Sequence, residues 1–415
     1  MKWSQYGRIT LALVASLALG LSITACNPSF TLGFVYALTA KSNLINAYTV
    51  DSASGAITQV ANSPFPSGGQ YPVAAAVGSN NKWMYVVHEI DNTVVEFAIG
   101  TDGKLYAQHT YNTPGTYPIS VAIDPSENFL YVLDSYAPGS NGVAPPNINP
   151  ITSNNVPTQG CVVVYPISST DGSLSTPVSD PVSSNTCFPI GAAPVLGSQP
   201  ISITATANGG VYVADQGTHT VYGYSVDDTT GILTTVNSNA GYPAGVKPSA
   251  IATDPGGRFI YVADQSANQL LGYTIQGDGT LQSMGNGFAT GLYPNSMVIS
   301  ANGLFLYATD FNANDVRIYS IDQSTGVLTS ADSVLNYGTG AGPNCISIEP
   351  AYGRFIYVSN FLDNTISGFE MNPQTGGLVQ VLNTPFAASA QPTCVATAAN
   401  STHPIKLAPL MKRAR

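Results

Sequence analysis

Apolar and polar positions alternate along most of this chain, in short runs broken by Gly, Pro, Asn and Asp. Such alternation marks half-buried β-strands, because successive side chains of a strand point to opposite faces. One run returns almost word for word: "GRFIYVADQ" at 257–265, "GLFLYATDF" at 303–311 and "GRFIYVSNF" at 353–361. Aligning on its Tyr gives seven copies, at Tyr36, Tyr85, Tyr131, Tyr212, Tyr261, Tyr307 and Tyr357. Their spacings are 49, 46, 81, 49, 46 and 50 residues, the signature of a repeat architecture.

Each copy contains four strand-like parts separated by turn residues. A Pro-led run such as "KPSAIATD" (247–254) comes first, then the phrase above. A run like "NQLLGYTI" (268–275) and a Gly-x-Leu signature such as "DGTLQSM" (278–284) complete the unit. Four short antiparallel strands in a unit of this length predict a blade, and seven of them an all-β, seven-bladed β-propeller. The Pro-led runs begin at Pro72, Pro118, Pro200, Pro248, Pro294, Pro343 and Pro392. The copy at Tyr36 lacks one before it, and the run at Pro392 has no blade after it. The C-terminal strand is therefore expected to complete the N-terminal blade and close the ring, removing two exposed sheet edges. The expected organisation is a leader at 1–25, one propeller at 26–400 and a basic tail at 401–415.

The residue two after each Pro is small: Ala74, Ser120, Ser202, Ala250, Ser296, Cys345 and Cys394. These positions fit innermost strands converging on the axis. Cys345 and Cys394 are accordingly members of a packing ring, either as free thiols or as a bridge between neighbouring blades. The long spacing holds two insertions, about 136–160 and 176–198, which emerge on the same face of an up-and-down blade. A Cys161–Cys187 disulfide is predicted to hold them together, stabilising by roughly 3 kcal/mol through loop closure. They carry function or serve as a lid.

Composition narrows the partners. Of 415 residues only 9% are charged, and the net charge of -10 argues against nucleic acid. Lys2 and Arg8 precede an uncharged, mostly apolar run from Ile9 to Thr24, and Ile23-Thr24-Ala25-Cys26 reads as a lipobox. Cleavage before Cys26 and its lipidation would anchor the protein outside the cytoplasmic membrane of a bacterium, in periplasm or at the surface, with no spanning segment. Four cysteines then remain, an even number in an oxidising compartment.

Candidate chemistry is sparse. The Asp of the phrase recurs at Asp134, Asp215, Asp264 and Asp310 and reads as a turn cap, with Asn following at Asn268, Asn314 and Asn364. His88-Glu89 interrupts this pattern and offers a general base with its partner, or a drifted turn. The residues before the seven Pro should ring the mouth of the central channel on the insertion face. Tyr71, Tyr117, Lys247 and Tyr293 among them, with Tyr136 beside the first insertion, are the candidates for holding a ligand. No zinc spacing, nucleophile elbow or Trp-rich blade occurs, so neither metal nor cofactor is expected.

The pattern P-x-x-[AVI]-x-x-[DP], then [FW]-[IL]-Y-V-x-[DN], then G-x-L over about residues 31–400 resembles the seven-bladed lactonase family. That family includes the propeller type of 6-phosphogluconolactonase and is related to bacterial surface repeats named for Tyr-Val-Thr-Asn. Tyr357-Val358-Ser359-Asn360 is close to that word. The resemblance implies a site of His, carboxylate and Arg side chains at the channel mouth, and no matching set is found here. Arg258 and Arg354 fall on the opposite face and Arg317 lies in a third strand, leaving Lys247 as the cation at the mouth. The expectation is a monomeric binding module that takes a small molecule, glycan or protein on the insertion face. The alternative is a lactone hydrolase acting on an unphosphorylated, extracytoplasmic substrate, with His88 and Glu89 as base and partner.

Overall fold

The computed structural model describes residues 29–138, 159–181, 184–191, 197–331 and 336–402. Cys26, the leader, most of the first insertion and the tail beyond 402 lie outside them. The described strands form seven separate antiparallel sheets, one per blade. Blade 1 is ordered Ile57–Gln59, Leu44–Asp51, Thr31–Thr39, Pro392–Ala399, so the last strand does pair with the first and closes the ring. The innermost strands of blades 2 to 7 are Pro72–Val77, Thr116–Ile123, Pro200–Ala205, Pro248–Thr253, Pro294–Ile299 and Pro343–Ile348. The fourth strand is broken in most blades: a three-residue piece such as Leu281–Ser283 and a two-residue piece such as Phe288–Ala289 both pair with the third strand.

The repeated phrase is the second strand, buried along its length. All seven of its tyrosines are almost wholly buried. Six donate their hydroxyl to a glycine carbonyl in the turn between third and fourth strands of the next blade. The pairs are Tyr36–Gly103, Tyr85–Gly172, Tyr212–Gly279, Tyr261–Gly326, Tyr307–Gly376 and Tyr357–Gly55, at 2.6–3.1 Å. The last pair spans the ring closure. These glycines belong to the Gly-x-Leu signature, written Gly-x-Ile at Gly55, and have a left-handed backbone, φ 68° at Gly55 and 75° at Gly376. A Cβ on either would also strike the ring of Phe355 or Phe305, 2.3 and 2.5 Å away. The aromatic two before the Tyr, present in every blade but the fourth, where Gly210 stands there, and the glycine of the next blade are thus one inter-blade joint. The hydroxyl inside it avoids the cost of an unpaired buried polar group.

Candidate functional site at the channel mouth

Pro-led strands line the channel. In each of the seven the register slips between the Pro and the residue two after it, so a β-bulge places the intervening side chain. Bulges bend a strand and re-aim side chains, and they concentrate near sites. The bulge residues are Val73, Ile119, Ile201, Ser249, Asn295, Asn344 and Thr393, all half-buried.

The residue before the Pro stands at the rim. Tyr71, Tyr117, Tyr293, Gly342 and Gln391 have φ of 59°, 55°, 66°, 67° and 55°. A left-handed backbone is costly for a bulky side chain and needs a compensating contact. The recurring Asn supplies it. Asn43, Asn92, Asn268, Asn314 and Asn364 accept the N–H of these five residues, at 2.7–2.9 Å, each from the neighbouring blade. Each Asn is itself left-handed, φ 53–57°. In blades 4 and 5 the partner Asn is missing, since Pro138 and His219 occupy its position. There Gln199 and Lys247 are not left-handed, and their N–H groups go instead to Asp215 and Asp264 of their own blades, at 2.9 and 3.0 Å. The Asn is thus more than a turn residue: it fastens one blade's rim to the next.

The phrase's Asp has a related duty. Asp264 accepts from Val246 and Lys247 in the loop entering its own inner strand, and from Ser266 and Ala267 in its turn. Asp310 holds Gly291, and Asp134 holds Gly115. Burial raises Asp134 to about 8, against a lowering by the Gly115 N–H and Thr113 hydroxyl. Cys161 sits opposite Asp134 in register and is bonded to Cys187, 26 residues on, with Cα atoms 5.5 Å apart. The two sulfurs lie close to the Asp134 carboxylate but are bonded to each other and offer no thiolate to a metal. Cys345 and Cys394 are free thiols on adjacent inner strands, so the second bridge entertained from sequence is absent.

His88 fills the Asp position of blade 2 and is completely buried. Its ring packs under the loop into the inner strand, so close that a Cβ on Gly69 would meet it at 2.6 Å. Burial lowers its pKa to about 4, and neither ring nitrogen makes a well-aligned hydrogen bond, although backbone groups of Ser67 and Thr93 lie near enough to favour protonation. The expected role of His88 as a base at the mouth is therefore corrected: the ring has no path to a ligand. Glu89 is half-buried, and burial raises its carboxyl above the usual range. Its counterparts Gln216 and Gln265 reach the inner strand of the next blade, at Pro248 O and Asn295 Oδ1. That offset puts Glu89 at the rim.

Four of the other predicted ligand residues fall into two pairs. Tyr117 and Tyr136 stack edge to face with ring centroids 5.9 Å apart. Across the ring, Lys247 Nζ donates to Tyr293 Oη at 3.3 Å and lies 5.4 Å from the ring centroid, and Tyr293 packs on Phe311 at 6.1 Å. Tyr71 lies beside Glu89, whose N–H bonds its carbonyl at 3.1 Å. Phe311 was missed in the sequence because it directly follows the Asp, where the residue type varies among Glu89, Ser135, Gln216, Gln265, Phe311 and Phe361 and no single chemistry stands out. Lys41, in a turn of blade 1 on the same face, was missed as well. Arg258 and Arg354 lie at the opposite face, bound to Asp254 and Glu370. Arg317 pairs with Asp310 at 3.4 Å.

The family model for the seven-bladed β-propeller lactonases matches residues 33–138 and 239–348. This chain belongs to that family. The lactonase-family relatives include the 6-phosphogluconolactonase of Yersinia pestis, 26% identical over 348 residues that cover 76% of this chain and 98% of the relative. Among solved structures, a candidate 6-phosphogluconolactonase of Bacteroides uniformis superposes with a TM-score of 0.68 at 16% identity, covering 89% of this chain and 100% of the other. The periplasmic gluconolactonase of Pseudomonas aeruginosa superposes with 0.67 at 18%, covering 89% and 99%. At these identities the structural likeness carries the lactonase fold.

Proposed function

We propose that this propeller binds an unphosphorylated lactone at the channel mouth, outside the cytoplasm. The observation that carries the reading is the charge of the rim. Lys247 is engaged by Tyr293 there, the half-buried Glu89 belongs to the rim of another blade, and no cluster of cations stands with them among the described residues. A phosphorylated sugar calls for several cations or bidentate Arg, whereas an uncharged ring ester suits tyrosines, amides and one lysine. The Cys161–Cys187 bridge supports an oxidising compartment.

Hydrolysis, as a second reading, is favoured by Glu89. A half-buried carboxylate with a raised pKa can take a proton from water attacking the ester carbonyl. The test is pH-stat hydrolysis across uncharged lactones, with Glu89→Gln beside the parent. Turnover lost in Glu89→Gln supports a lactonase. No turnover, with lactone-dependent protection of Tyr71 or Tyr293 from chemical modification, supports a binding module. Neither turnover nor protection overturns the lactone reading.

A further inference from the structure

The sevenfold pattern of the channel wall is broken into two arcs. In blades 5, 6, 7 and 1 the bulge residue is polar and reaches to the next inner strand. Ser249 Oγ donates to Pro294 O at 2.7 Å. Asn295 Nδ2 donates to Asn344 O and Oδ1 at 3.1 and 2.7 Å, and Asn344 Nδ2 to Thr393 O at 2.6 Å. Thr393 Oγ1 donates to Pro72 O at 2.7 Å. These bonds run in one direction around the wall, and Gln216 and Gln265 join them from the rim. At Val73 the belt stops. Blades 2, 3 and 4 place Val73, Ile119 and Ile201 on the same bulges. Each packs against the apolar core between blades and remains half-exposed. The rim above this arc carries Tyr71 and the Tyr117–Tyr136 pair. The same bulge geometry with opposite chemistry on contiguous blades divides the wall, since fold alone would accept either kind of residue at all seven.

Resting on the lactone reading, we infer that the ligand is a lactone bearing an apolar substituent, with its ring oxygens toward blades 5 to 1 and its alkyl or aryl group against Val73, Ile119 and Ile201. A sugar lactone, with hydroxyls all round its ring, would leave some of them unpaired against that arc, at a cost in affinity. The alkyl group of a substituted lactone gains about fourfold in affinity for each methylene buried.

The test is calorimetric titration of the purified chain with two hydrolysis-resistant lactams: one ring-matched to δ-decalactone and one to δ-gluconolactone. The expected result is at least tenfold tighter binding of the alkyl lactam. In Ile119→Thr and Ile201→Thr that preference should shrink about tenfold, with sugar-lactam affinity unchanged or raised. Equal or tighter binding of the sugar lactam by the parent protein overturns this inference and leaves the lactone reading intact. Binding of neither overturns the lactone reading itself. If the substitutions prevent folding, the parent's preference between the two lactams decides.

Discussion

Replacing Asn268 by Ala probes the fastening of the rim. The substitution removes the Oδ1 that accepts the Tyr293 N–H at 2.8 Å, in a residue with φ 53°. The lost hydrogen bond costs about 1 kcal/mol. An Ala held in the left-handed region costs roughly another 1 kcal/mol, because Asn tolerates that backbone better. The expected destabilisation is therefore about 2 kcal/mol. Asn268→Asp keeps both the oxygen and the tolerance and should lose much less. His219→Ala is the internal control. His219 has φ 58° but leaves the Lys247 N–H to Asp264, so only the backbone share of about 1 kcal/mol should be lost. Urea unfolding reads all three as midpoint shifts at constant slope. Equal losses in Asn268→Ala and Asn268→Asp, or a loss in His219→Ala as large as in Asn268→Ala, would refute the clasp.

Three other outcomes are expected. Tyr261→Phe leaves the Gly326 carbonyl without its donor and should cost about 1–3 kcal/mol in the same assay, whereas Tyr131→Phe, whose hydroxyl makes no such bond among the described residues, should cost less. Cys161→Ser/Cys187→Ser opens the bridge across 26 residues and should lose about 3 kcal/mol, read by thermal melting under non-reducing conditions. Asp134, raised to about 8 in the folded protein from 3.8, binds its proton more tightly folded than unfolded. Its contribution is therefore fully present below about pH 4 and lost as pH rises to about 8. Asp134→Asn should flatten that part of the stability–pH curve, and an unchanged slope would show that Asp134 is ionised when folded.

Much of this architecture was legible in the chain because a propeller repeats its local code. Alternation in "GRFIYVADQ" marks a strand, the Pro-led runs mark the inner wall, and the absence of such a run before Tyr36 reveals how the ring closes. What stayed hidden depends on contacts between blades. Asn268 looks like an ordinary turn residue until its oxygen is seen on Tyr293, which is 25 residues on and in the next blade. The bulge after each Pro carries no glycine to announce it. His88 was correctly placed at the Asp position, but its exposure depends on the loop 67–69, which closes over the ring. Its neighbour Glu89 is the group the structure leaves at the rim. The two-arc wall was in plain view as Val73, Ile119 and Ile201 against Ser249, Asn295, Asn344 and Thr393. It acquires meaning only once bulges are known to set these side chains on one wall.

The claim that this mouth takes an uncharged lactone is tested most directly by pairing δ-gluconolactone with its 6-phosphate in one assay, at equal concentration with the purified chain. Adding the phosphate should bring no gain in binding or hydrolysis, because among the described residues the rim gathers no cluster of cations: Lys247 is already engaged by Tyr293, and Lys41 stands apart in a turn of blade 1. Tighter binding or faster hydrolysis of the phosphorylated lactone would contradict it.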